Sequence, residues 1–183
     1  MLFSILQFVI GTVASLFGVL FLLRAWVWRW AFSPRHPLVD LARRATDWLV
    51  VPLSRVVPAK GNWDCPSLLG ALILAFATVL VNRLTAFYPI SPLGMVLAPI
   101  FTLVRWGLEM VSWGTLIWCV LSWVNRQSPM GYALETLLEP FLRPCRKILP
   151  STGSIDFSPL LLILAANVLL FIVVPLSRGF IPF

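Results

Sequence analysis

The sequence predicts an all-α membrane protein in which four transmembrane helices form two parallel tandem repeats, each with a cytoplasmic-face amphipathic helix. Three observations predict it. The chain of 183 residues is 60% hydrophobic and 11% charged, whereas soluble domains run roughly 45–50% apolar and about 25% charged. Four long stretches carry almost no charge, and each approaches the about 20 residues a helix needs to cross hydrocarbon. Prolines, a glycine and an aspartate recur at a fixed offset of 92 positions. This composition leaves too little polar surface for a soluble enzyme. It also excludes intrinsic disorder, which needs low hydrophobicity.

The first span is predicted over residues 2–23, uncharged throughout. It lacks a basic stretch ahead of it and is followed by basic residues, so it reads as a retained anchor rather than a cleaved signal. Trp26, Trp28 and Trp30 alternate with Arg24 and Arg29 where this span meets the interface, an anchoring belt. A patterned segment follows. Leu38, Leu41, Ala45 and Trp48 fall at helical spacing, with Asp40, Arg43, Arg44 and Asp47 opposite. A helix of this kind lies in the interfacial plane with its apolar side down, or packs on another protein. Pro52 is expected to end it. The turn Pro58–Pro66 leads into the second span, predicted over residues 66–87. Residues 84–104 are uncharged but interrupted by Pro89, Pro92 and Pro99, which predicts a loop or re-entrant turn. The third span is predicted over residues 102–124. The second patterned segment carries Leu134, Leu137, Leu138 and Phe141 against Glu135 and Glu139, and is expected to end near Pro140 and Pro144. A turn over Pro150–Pro159 opens the fourth span, residues 159–177.

The repeat needs no gap. Pro37, Pro52, Pro58, Gly61 and Asp64 match Pro129, Pro144, Pro150, Gly153 and Asp156. Asp47 pairs with Glu139, Arg55 with Lys147, and Leu68, Leu69 and Leu72 with Leu160, Leu161 and Leu164. Residues 1–92 and 93–183 are therefore expected to be two copies of one unit. A unit with two spans returns the chain to its starting side, so the copies insert in the same sense. Of the 14 basic residues, 11 lie in the two long segments between the spans of each repeat. The positive-inside tendency then puts those loops in the cytoplasm and both termini outside. The net charge of +7 is concentrated beside the membrane, where anionic lipid headgroups, not nucleic acid, are the nearest partner.

Catalytic chemistry has no visible constellation. His36 is the single histidine, and no serine or cysteine nucleophile is paired with it. Cys65, Cys119 and Cys145 lack metal spacing, and two of them fall near a reducing face where a disulfide is not expected. No metal and no cofactor is expected. The turn aspartates Asp64 and Asp156 suit helix caps first, and a docking site with Arg55, Arg143, Arg146 and Lys147 as the alternative. Within the spans, Glu109, Asn82 and Asn167 are candidates for an ion or proton path, or for structural pairing, with Arg105 one turn from Glu109. Small residues at Gly11–Ser15, Ala14–Gly18 and Ala71–Ala75 allow close helix approach, either inside the bundle or in a homo-oligomer.

The second copy runs Glu139-Pro140-Phe141-Leu142-Arg143-Pro144-Cys145-Arg146-Lys147-Ile148-Leu149-Pro150, then Gly153-Ser154-Ile155-Asp156-Phe157-Ser158-Pro159. A proline- and arginine-rich turn, Gly-x-x-Asp, and Ser-Pro opening a span resemble the YggT family of bacterial and plastid membrane proteins. The first copy keeps Pro52, Arg55, Pro58, Gly61 and Asp64 but has Cys65-Pro66 for Ser-Pro. The resemblance implies four spans in two repeats, residence in the bacterial inner (plasma) membrane, and no established catalytic activity. It links bacterial relatives to osmotic-stress tolerance, ion uptake and envelope organisation, and plastid relatives to cytochrome assembly. Two function classes are therefore carried forward. One is a non-enzymatic membrane organiser or assembly factor for other membrane proteins; the other is an oligomeric ion-transport or osmotic-stress channel component.

Overall fold

The structure, a computed structural model, describes residues 2–30, 32–33, 36–85, 92–125, 128–148 and 156–179. Its helices are α1 (Leu2–Arg29), α2 (Pro37–Val56), α3 (Cys65–Thr85), α4 (Pro92–Val124), α5 (Pro129–Ile148) and α6 (Ser158–Ser177). Four are long and apolar enough to cross a membrane: Ile5–Arg29, Cys65–Leu84, Leu93–Val124 and Ser158–Ser177. Much of their apolar surface is outward-facing, with Phe8, Trp113 and Phe171 among the exposed side chains. Water would penalise that surface, whereas lipid tails accept it. The contacts divide into two compact units, Met1–Gly107 with Ile172–Phe183, and Leu108–Phe171.

In the first unit α1 packs on α2 and α3. Small residues on α1 and α3 make room for large ones. Phe21, Val50 and Ala71 form one buried cluster, and Ala14, Ala75 and Trp106 another. A methyl group at Gly70 would come within 2.9 Å of the Phe21 ring, and one at Gly18 would overlap the Trp106 ring. Of the small-residue pairs in the sequence, Ala14–Gly18 and Ala71–Ala75 therefore serve the interior of this unit, while Gly11 faces open space. In the second unit α5 buries Ala133, Leu134, Leu137, Leu138, Leu142 and Cys145. Burial pushes the Cys145 thiol above its ordinary pKa.

The structure departs from the sequence expectations in four places. First, α1 continues past residue 23 to Arg29, because tryptophan and arginine are compatible with a helix whose last turns leave the hydrocarbon. Second, residues 92–104 are helix rather than loop or re-entrant turn; residues 86–91 lie outside the described part. Pro92 stands at the first helical position, where a missing N–H is not missed. Pro99 lies inside the helix, between buried Ala98 and Thr102. A proline inside a helix costs about 3 kcal/mol, and burial of Trp106 one to two turns on offsets a comparable amount. Third, α2 runs past Pro52 and α5 past Pro140 and Pro144. Buried Leu142 and Cys145 hold the end of α5, and Val57 N–H closes α2 on the Leu53 carbonyl.

Fourth, the packed face of α2 differs from the apolar stripe read in the sequence. Leu38, Val39, Ala42, Thr46 and Val50 are buried, whereas Leu41 and Trp48 are exposed. The side turned inward carries the small residues Ala42 and Thr46, while Trp48 keeps only an edge contact with Phe17 of α1. At the start of the helix, His36 Nδ1 accepts a hydrogen bond from the Leu38 amide at 3.3 Å, so the single histidine caps α2.

Candidate functional site

The turn ahead of α3 is built on Gly61, whose φ of +57° is the left-handed region that favours glycine. It lets Lys60 and Trp63 exchange backbone hydrogen bonds at 3.3 and 3.1 Å. Trp28 Nε1 donates to the Gly61 carbonyl at 3.3 Å, and the Arg29 guanidinium lies 5.4 Å from the centre of the Trp63 ring. The turn is thus pinned to the end of α1 by an indole and a cation–π contact.

Asp64 follows, and is buried. Its Oδ1 accepts from the Ser67 amide at 3.3 Å and its Oδ2 from the Ser67 hydroxyl at 2.5 Å, capping α3. A buried carboxylate needs a counter-charge. Arg24 of α1 supplies it, with Nε 3.5 Å from Asp64 Oδ2. The same guanidinium uses Nη1 to reach Asp47 Oδ1 at 2.6 Å and Thr46 Oγ1 at 2.9 Å on α2. One arginine therefore ties three helices at one point.

The second unit holds a matching arrangement made from a different cation. Arg146 of α5 places Nη1 2.9 Å from Glu139 Oε2 and Nε 3.2 Å from Asp156 Oδ2. Asp156 Oδ1 accepts from the Ser158 amide at 2.9 Å at the start of α6. Asp47 and Asp64 stand 92 positions before Glu139 and Asp156. Each pair thus has a helical acid on Nη1 and a turn aspartate on Nε of a single guanidinium. The arginines do not correspond: position 116, opposite Arg24, is leucine, and position 54, opposite Arg146, is serine. The two clamps keep their acids and replace their cation.

Burial alone would raise the pKa of Asp156, but hydrogen bonding from Ser158 and the Arg146 guanidinium outweigh it and hold the carboxyl below the usual carboxylate value. A carboxyl depressed in the folded state contributes stability that is complete above its unfolded pKa and is lost as pH falls through the folded value. Acidification below the ordinary carboxylate range is therefore expected to destabilise the wild type more than Asp156→Asn. Melting of the detergent-solubilised protein against pH checks this, and parallel profiles would exclude it.

The sequence-derived candidates separate on these facts. Asp64, Arg146 and Asp156 belong to the clamps. Arg143 is exposed and pairs with Glu139 within α5 at 3.2 Å. Arg55 and Lys147 are exposed at the ends of α2 and α5, outside the clamps. Of the intramembrane candidates, Asn82 accepts from Gln7 at 3.3 Å. Asn167 donates to the Ile163 carbonyl at 2.8 Å and to Ser112 at 3.3 Å. Glu109 is half-buried on α4, and Arg105 donates to Ser15 at 2.9 Å. The turn residues 149–155 lie outside the described part.

Sequence reasoning missed Arg24 and Thr46. In the sequence Arg24 stands as one interfacial charge among several, and position 116, at the 92-residue offset, is leucine. The visible signal was Asp47, an acid kept at the matching position as Glu139. Among the described residues, no group of three or more His, Cys, Asp or Glu side chains is placed to hold a metal ion.

Among the described residues, six helices, four of them long and apolar enough to cross a membrane, with charged clamps at the starts of α3 and α6, define a helical protein of membrane-protein character. A family model described as CCB3/YggT matches residues 3–85 and 97–177, and the chain belongs to that family. It is 37% identical over 167 residues to "Uncharacterized protein YggT" of Escherichia coli (strain K12), covering 90% of this chain and 86% of that one. An uncharacterized protein of Haemophilus influenzae is 32% identical over 152 residues, covering 82% and 81%. "Uncharacterized protein in proC 3'region" of Vibrio alginolyticus is 29% identical over 160 residues, covering 86% of each chain. No solved structure matches the chain.

Proposed function

We propose that the chain is a non-enzymatic membrane organiser or assembly factor, which holds other membrane proteins through α2, α5 and the turns ahead of α3 and α6. The reading rests on the pair of clamps. They fix two short helices against the starts of two long ones, and so give the outer charges of α2 and α5 a defined position. Arg55, Arg143 and Lys147 then stand exposed beside exposed Trp48, Val56 and Ile148. Charge next to exposed apolar surface suits a protein partner at the headgroup level. In this reading the two units of the repeat, 1–92 and 93–183, insert in the same sense. Both patterned helices lie on the cytoplasmic face of the bacterial inner membrane, with the termini outside and anionic headgroups around the basic residues.

Photo-crosslinkers at Arg55 and Arg143 in cells are expected to trap the same membrane protein, with Phe171, which is exposed on α6, as the lipid-facing control. Capture of lipid alone at all three positions overturns the reading. The competing reading, ion passage, places its polar residues in a path. Here Gln7 with Asn82, Arg105 with Ser15, and Asn167 with Ser112 engage one another between or along helices, which supports a structural use. Glu109→Gln is accordingly expected to leave ion flux in reconstituted vesicles at the level of protein-free vesicles and of the wild type. A flux present in the wild type and lost in this variant would favour transport.

A further inference from the structure

The first unit contains a half-open cleft of about 460 Å³ between the last turns of α1, the first half of α2 and the Gly61 turn. Its volume falls within the roughly 300–1,000 Å³ of small-molecule sites. Val27 and Val39 form apolar wall, Trp28 stands at the rim, and Arg24, Arg43 and Asn62 supply the polar groups.

Arg43 is the unusual member. The other arginines of α1 and α2 that sit near the cleft are engaged. Arg24 is clamped by Asp47 and Asp64, Arg44 pairs with Asp40 at 2.9 Å, and Arg29 lies over Trp63. Arg43 is half-buried and has no ion pair or hydrogen bond among the described residues. Its guanidinium donors are therefore open to an anion that enters the half-open cleft. Its planar fork matches two oxygens of a phosphate or carboxylate. Among the described residues the neighbouring carboxylates pair elsewhere: Asp40 with Arg44, and Asp47 and Asp64 with Arg24.

The surroundings select among anions. An indole at the rim, held by its hydrogen bond to the Gly61 carbonyl, is the side chain that marks the headgroup level of a bilayer. Further along α1, Leu16 and Val13 are exposed apolar side chains against which an acyl chain can lie. We propose that this cleft binds the phosphate ester of an anionic glycerophospholipid, with Arg43 taking two phosphate oxygens and Asn62 donating to the headgroup. Arg43 lies on α2 and Asn62 in the turn ahead of α3, elements the proposed function also uses, but neither is among the exposed charges Arg55, Arg143 and Lys147 given to partner contact above. The site requires the protein to sit in a bilayer but not to be an organiser, so it can fail or hold independently of that function.

Native mass spectrometry of the full-length protein in mild detergent tests it, with phosphatidylglycerol, phosphatidylcholine or glycerol 3-phosphate added. The wild type is expected to retain phosphatidylglycerol in preference to phosphatidylcholine. Arg43→Gln should lower that retention about tenfold, the loss of roughly one charge-assisted bidentate contact. Arg43→Lys, which keeps the charge without the fork, should fall between. Arg44→Gln, one position away and mostly exposed, should change retention less than about twofold. Because Arg43 bonds to nothing in the described protein, Arg43→Gln should melt with the wild type in lipid-free detergent. Equal loss in the Arg43 and Arg44 variants, or no loss in either, overturns the proposal. Displacement of the lipid by millimolar glycerol 3-phosphate would assign the cleft to soluble phosphate esters and overturn the lipid assignment.

Discussion

Arg24→Leu is expected to lower the stability of the detergent-solubilised protein by about 3 kcal/mol or more, the scale for removing one partner of a buried ion pair. The Arg24 side chain is 16% exposed and that of Asp64 5%, so the aspartate left behind is a buried charge with only Ser67 to solvate it. Asp47, about half exposed, can turn to water and contributes little to the loss. The double variant Arg24→Leu/Asp64→Asn should recover much of the difference, because asparagine caps α3 without carrying a charge. Denaturant titration of the four proteins in the cycle measures the coupling. Additive losses would mean that Arg24 acts by packing and not through Asp64. The equivalent change in the second unit, Arg146→Leu, should be milder, since both Arg146 and Asp156 are about one-third exposed.

Gly18→Ala is the second large effect. The added methyl would occupy space held by the Trp106 ring, which is 1% exposed and fixed by a 3.2 Å hydrogen bond from its Nε1 to Ser15. The ring lies against Ala14 and Ala75 and cannot swing aside without losing that bond. Overpacking typically costs about 1–3 kcal/mol, and here the upper end is expected because a rigid indole, not a flexible chain end, is displaced. Gly18→Leu should abolish a folded product. Trp106→Leu in the Gly18→Ala background should restore part of the stability, and its failure to do so would place the strain elsewhere. Gly11→Ala on the same helix, where nothing lies within 4 Å, is the matched control and should be neutral.

The apolar stretches were legible because hydrophobic length is a property of the sequence alone. The turn aspartates were legible for a similar reason: an acid at a fixed place ahead of an apolar run has few other uses than capping. What was hidden depended on neighbours distant in the chain. Pro92 and Pro99 look like breaks in a loop until Ala98, Thr102 and Trp106 are seen packed in the first unit. The buried side of α2 depended on which face α1 could approach, and Leu41 and Trp48 lost to Ala42 and Thr46 on size. Arg24 was hidden because position 116, at the 92-residue offset, is leucine: comparing the chain with itself at that offset shows the acids and not their cation.

The 33-residue α4 has a further consequence. At 1.5 Å per residue it is about 50 Å long, against a hydrocarbon slab of about 30 Å. Placed in such a slab it must lean steeply or carry several turns beyond the acyl chains, and both solutions are sensitive to hydrophobic mismatch. Bilayer thickness thereby becomes a variable that this protein feels through one long apolar helix, and short-chain and long-chain lipids should present its ends differently to whatever lies alongside.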